Sequence, residues 1–139
     1  MDGRHAGARS ELTACFPPWA SADGLLLDNL ADPETRERIR DEIENQTTDW
    51  ENLCTLSTPE GTLLLGFSTV ENRKYRGWYL DDIAEDQGKN WIDAAFDLVL
   101  AESGRIGTIF FMMSEENVAL QIAQPWIKFG TDAGGVDPV

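Results

Sequence analysis

The residues best placed to do chemistry lie close to the carboxyl end, in Gln124-Pro125-Trp126-Ile127-Lys128-Phe129-Gly130-Thr131-Asp132-Ala133-Gly134-Gly135. Trp126, Ile127 and Phe129 form a short apolar run behind Pro125, and glycines bracket Thr131-Asp132-Ala133. A short buried strand that delivers a polar residue at its carboxyl end has this pattern. A carboxylate there can take a proton from water and pass it to a leaving group. In parallel α/β sheets and barrels, catalytic residues gather at such strand ends. Asp132 ahead of two glycines also opens a turn, and spacing alone favours the turn.

Competing chemistry is sparse. His5 is the one histidine, and Cys15 and Cys54 are the two cysteines. No stretch reads as a signal peptide, so the expectation is a pair of reduced, cytoplasmic thiols that serve as packing residues. Asn72-Arg73-Lys74-Tyr75-Arg76-Gly77 is the basic cluster of the chain and could hold a carboxylate. A solvated loop is the reading favoured for it, because long basic side chains sit easily at a surface. Eleven basic against twenty-five acidic residues give a net charge of −14. That field repels nucleic acid and anionic membrane surfaces. No segment approaches the roughly 20 apolar residues of a membrane-spanning helix.

The elements that must position these residues follow from apolar spacing and caps. At 139 residues, 42% of them apolar, the chain suffices for one core. Residues 1–11 show no apolar periodicity and are expected to be a mobile lead-in. Residues 12–19 read as extended because Pro17-Pro18 exclude helix. A short helix over 22–30 precedes Asp32, an N-cap with Pro33 at the first helical position. The helix that follows should reach Asn45, held by a narrow seam of Ile39 and Ile43 with its arginines and acids solvated. Residues 50–57 and 62–69 read as two strands of a hairpin around Pro59-Glu60-Gly61. A helix over 80–87 stops at Gly88, and Asn90 caps the next, whose Trp91, Ala95, Phe96, Leu98 and Val99 make a wide apolar face. The run from 106 to 112 reads as a strand buried on both faces, and Ser114 caps a helix that Pro125 ends. A strand, a crossover helix and a second strand imply a parallel pair.

Several blocks carry a resemblance. They are Leu12-Thr13-Ala14-Cys15-Phe16-Pro17-Pro18-Trp19, Asp32-Pro33-Glu34-Thr35-Arg36-Glu37-Arg38-Ile39-Arg40, Trp50-Glu51-Asn52-Leu53, Leu80-Asp81-Asp82-Ile83-Ala84 and Phe111-Met112-Met113-Ser114-Glu115-Glu116. Pro125-Trp126 followed by Gly130-Thr131-Asp132 completes the set. In this order they resemble the carboxyl-terminal half of the N-acyl-D-amino-acid deacylases (D-aminoacylases), metal-dependent amidohydrolases.

The resemblance implies an α+β chain: a small αββ insertion or lid over residues 12–79, then the last helix-strand units of a truncated (β/α) barrel over 80–139. It implies hydrolysis of the C–N amide bond of a small-molecule N-acyl-D-amino acid, with Asp132 as the catalytic acid/base and Phe110 and Met113 at the substrate. Phe110 stands where the family often has tyrosine, and Ala133 where it usually has glycine. Zinc is implied for the complete enzyme, held by histidines and a cysteine on earlier barrel strands. None of those ligands falls in this chain, and Met1 lies roughly where the preceding barrel strand should have ended. Taken alone the chain is expected to be inactive, bind no metal and self-associate through exposed edges of its last strands. Two alternatives stand beside this: a lid module that binds substrate or a partner, and a structural remnant without activity.

Overall fold

A computed structural model of the chain describes residues 5–45, 49–128 and 130. Helices and a small sheet share one core, an α+β arrangement. The sheet is ordered β1-β4-β2-β3, with β1 at His5–Glu11, β2 at Thr62–Leu64, β3 at Trp78–Tyr79 and β4 at Gly107–Ser114. Every neighbouring pair is antiparallel. The parallel pair anticipated around the crossover helix is absent among the described residues. Trp126 and Ile127 lie outside any strand and are exposed.

The expected mobile lead-in is corrected from His5 onward. His5–Glu11 pair with β4 along their whole length, with a register shift between Ala6 and Gly7. A segment without apolar periodicity becomes a strand because its partner, β4, supplies the ladder. Gly7 suits the crossing: a Cβ there would lie 2.3 Å from Ile109 Cγ2. The boundary between 79 and 80 does not divide the sheet either, since β2 and β3 from one side pair with β4 from the other.

Strand β4 sits inside the sheet. Its even-numbered Thr108 and Phe110 are buried, while Gly107, Ile109 and Phe111 on the opposite face are partly exposed. Helices therefore cover one face of the sheet, contrary to the expectation of burial on both. Beyond β2, Leu65 and Gly66 donate their N–H groups to the Gly107 carbonyl. A Cβ at Gly66 would stand 2.8 Å from the Gly107 nitrogen, so this approach of two backbones requires glycine.

The helices are α1 at Leu26–Ala31, α2 at Pro33–Asn45, α3 at Leu53–Ser57, α4 at Leu80–Asp86, α5 at Trp91–Ala101 and α6 at Glu115–Ile122. Asp32 caps α2 by accepting from the Thr35 N–H at 2.8 Å, and Asn90 caps α5 by accepting from Ile92 at 2.8 Å. Ile92, Ala94, Ala95, Phe96, Leu98 and Val99 on α5 are buried, and Ile39 and Ile43 form the seam of α2. None of these helices is long and apolar enough to cross a membrane.

Two expectations about the first half change. Residues 53–57 are helical, because the Asn52 side chain accepts from the N–H groups of Cys54 and Thr55 and caps a turn where a strand was expected. Residues 12–15 and 18–24 form 3-10 turns in place of an extended segment. The arginines of α2 are also less solvated than expected. Arg36 reaches Asp97 at 2.7 Å, Arg40 pairs with Asp93, and both guanidinium groups lie over the Phe96 ring. Arg38 covers Trp19, whose indole N–H donates to the buried Glu42 at 2.7 Å. Cation–ring contact and partial burial thus dock α2 on α5 where the apolar seam alone is thin.

Cys15 and Cys54 are joined in a disulfide, and both are fully buried. The expectation of two reduced packing thiols is corrected to a covalent link between the first 3-10 turn and α3.

Candidate functional site

The structure describes two of the three residues singled out for chemistry. Asp132 lies outside the described residues. Phe110 is fully buried in the core, so its ring faces other side chains and no ligand can reach it. The substrate contact expected of Phe110 is therefore corrected: its even position in β4 turns it toward the helices. Met113 is 38% exposed near the carboxyl end of β4.

Around Met113 the bare face of the sheet is apolar. Ile109 lies opposite Leu63 in the ladder, and Leu63 opposite Tyr79, so all three share that face. Phe111 joins them, its ring centroid 6.3 Å from that of Tyr79. Each is partly exposed. The alternation of β4 leaves Phe111, the neighbour of Phe110, partly exposed. Residue period in a strand could have found this, had one face been assigned to solvent.

A second feature is an open groove of about 570 Å³ lined by Gly77, Trp78, Tyr79, Asp82, Glu85 and Asp86. Asp86 accepts from the Tyr75 hydroxyl at 2.7 Å and from Lys74 at 2.9 Å. Those hydrogen bonds hold its carboxyl below the ordinary aspartate value. The lining is aromatic and anionic, so the groove disfavours a ligand that carries a carboxylate. The basic cluster nearby is exposed and occupied: Arg73 donates to the Ser68 carbonyl and Arg76 to the Leu65 carbonyl.

Glu102 is a buried carboxylate with several donors around it. It accepts from the N–H groups of Ser68 and Thr69, the Thr69 hydroxyl and the Asn72 amide, and so fastens the loop between β2 and β3 to the end of α5. Burial pushes its pKa up, but the hydrogen bonds from Thr69, Asn72 and Ser68 outweigh it and the group sits below its ordinary value. A lowered folded-state pKa contributes stability above the unfolded value, and that contribution disappears as pH falls through the folded value. The unfolding midpoint should therefore hold down to roughly pH 4.5 and fall below it. Glu102→Gln should cost about 2 kcal/mol at neutral pH, since an amide nitrogen would face donors. Urea titrations of both proteins between pH 3 and 7 check this; equal acid sensitivity would remove Glu102 as the cause.

Among the described residues, no group of three or more His, Cys, Asp and Glu is placed to hold a metal ion. The cysteines are bonded to each other, so neither offers the thiolate a zinc site needs. These residues do not fit the zinc implied for the complete enzyme. Comparison with protein-family models, with curated proteins and with solved structures finds no match to this chain.

Proposed function

We propose that the chain is the carboxyl-terminal half of an N-acyl-D-amino-acid deacylase, hydrolysing the C–N amide bond of N-acyl-D-amino acids once a metal-binding half completes it. The ordered blocks from Leu12 to Asp132 are the source of the reading. The structural observation that supports it is the half-exposed apolar face formed by Met113, Phe111 and Ile109 at the centre of the sheet. A fatty or aromatic acyl group would lie on such a face, and its burial would contribute about 25 cal/mol per Å². Asp132 would take a proton from the attacking water and hand it to the leaving nitrogen.

The test is complementation. The chain alone should release no amino acid from N-acetyl-D-amino acids. Mixed with the metal-binding half of a full-length deacylase, it should form a complex on size exclusion and gain hydrolysis that chelators abolish. In that complex Asp132→Asn should lower turnover by about two orders of magnitude or more while bound metal stays. A complex that forms and remains inactive would overturn the reading, and near-normal turnover of the variant would return Asp132 to a turn-forming role.

A further inference from the structure

Strand β1 has one neighbour in the sheet, β4, and its other edge is open among the described residues. The direction of its backbone groups follows from one bond. The Leu12 N–H donates to the Ile106 carbonyl at 3.0 Å, toward β4. In an antiparallel ladder the groups alternate, so Ser10 and Ala8 also address β4. The N–H and C=O groups of Arg9 and Glu11 then point away from the sheet, at the free edge. Both residues are exposed, stand two apart on the same face and have no ion-pair partner among the described residues.

A strand that adds here must bring its own outward backbone groups and opposite charges in reverse order. The same segment of a second copy does both. When two β1 strands run antiparallel about a twofold axis at Ser10, Arg9 faces Glu11 of the other copy and Glu11 faces its Arg9. These rungs fall on the residues whose backbone groups point outward, so each closes with two N–H···O bonds. Registers centred on Arg9 or on Glu11 would set like charges opposite each other, which is unfavourable. The net charge of −14 drives copies apart in general, so an interface between them needs local compensation. Arg9 supplies it.

We propose that the chain forms a symmetric dimer through β1, extending the sheet across a twofold axis at Ser10. This places self-association at the opposite end of the chain from the last strands, whose buried member, β4, has both edges covered by β1 and β2. The dimer is independent of the deacylase reading, because neither its formation nor its test depends on activity.

Sedimentation velocity of the 139-residue chain over a range of concentrations reads it out. The wild-type protein should dimerise reversibly, and Arg9→Glu and Glu11→Arg should each weaken the dimer at least tenfold, a like-charge effect at two rungs. Mixed in equal amounts, the two variants should associate with each other, since every facing pair is again opposite in sign. Ser10→Cys should cross-link two copies on mild oxidation, because residues facing at a non-hydrogen-bonded rung lie about 4.5 Å apart at Cα. The native disulfide is fully buried and does not interfere. A wild-type chain that stays monomeric throughout would overturn the proposal. So would a dimer indifferent to both charge reversals, or variants that fail to pair when mixed although each is folded by circular dichroism and Ser10→Cys does not cross-link.

Discussion

Phe110→Ala should lower the stability of the chain by about 3–5 kcal/mol, the cost of emptying a fully buried aromatic site. Phe110 is the central buried residue of β4 and lies in the cluster that gathers Leu64, Leu80, Phe96 and Ile106. The loss combines transfer and cavity contributions. Met113→Ala, at a site 38% exposed, should cost less than about 1 kcal/mol. Urea unfolding of the two variants side by side makes the comparison. If Phe110→Ala unfolds at the wild-type midpoint, the ring is not in the core and a ligand-facing role for it reopens.

The disulfide carries an effect of similar size. Cys15 and Cys54 are 39 residues apart, and closing a loop of that length removes enough freedom from the unfolded chain to stabilise the fold by about 4 kcal/mol. Cys15→Ala with Cys54→Ala should lose most of this, since alanine leaves no buried hydroxyl behind. Wild-type protein unfolded in the presence of dithiothreitol should behave like the double variant, and the oxidised protein should stand well above both. Equal midpoints with and without reductant would mean the link adds nothing to the fold.

The parts legible in the sequence were those with local causes. Asp32-Pro33 opened α2, Asn90 opened α5 and Ser114 opened α6, each by a side chain accepting from a nearby N–H. The apolar stripe of α5 announced its own burial. Where the cause was distant, sequence reasoning failed. β1 has almost no apolar content and is a strand only because β4 lies beside it. Cys15 and Cys54 gave no sign of meeting, since spacing along a chain says nothing of separation in space. Asn52 did carry a local signal for α3, but Trp50, Leu53 and Leu56 around it were given a strand's meaning. A strand followed by a helix suggests a crossover to a parallel partner, whereas β4 finds its antiparallel partners upstream. For the candidate site, Met113 was found at a surface and Phe110 was not, a single step in a two-residue period.

The order of the sheet sets the order in which it can be made. β1 precedes its ladder partner β4 by about a hundred residues, and such distant pairings form slowly. β2 can pair with β3 beforehand, but it joins β1 only through β4, which lies between the two. Until β4 emerges, α1 to α5 can form and begin to pack, while β2 has only β3 to pair with and β1 has no partner among the described strands. β4 therefore joins β1 to the β2–β3 pair in one step. For that interval the nascent chain carries β1 as open backbone.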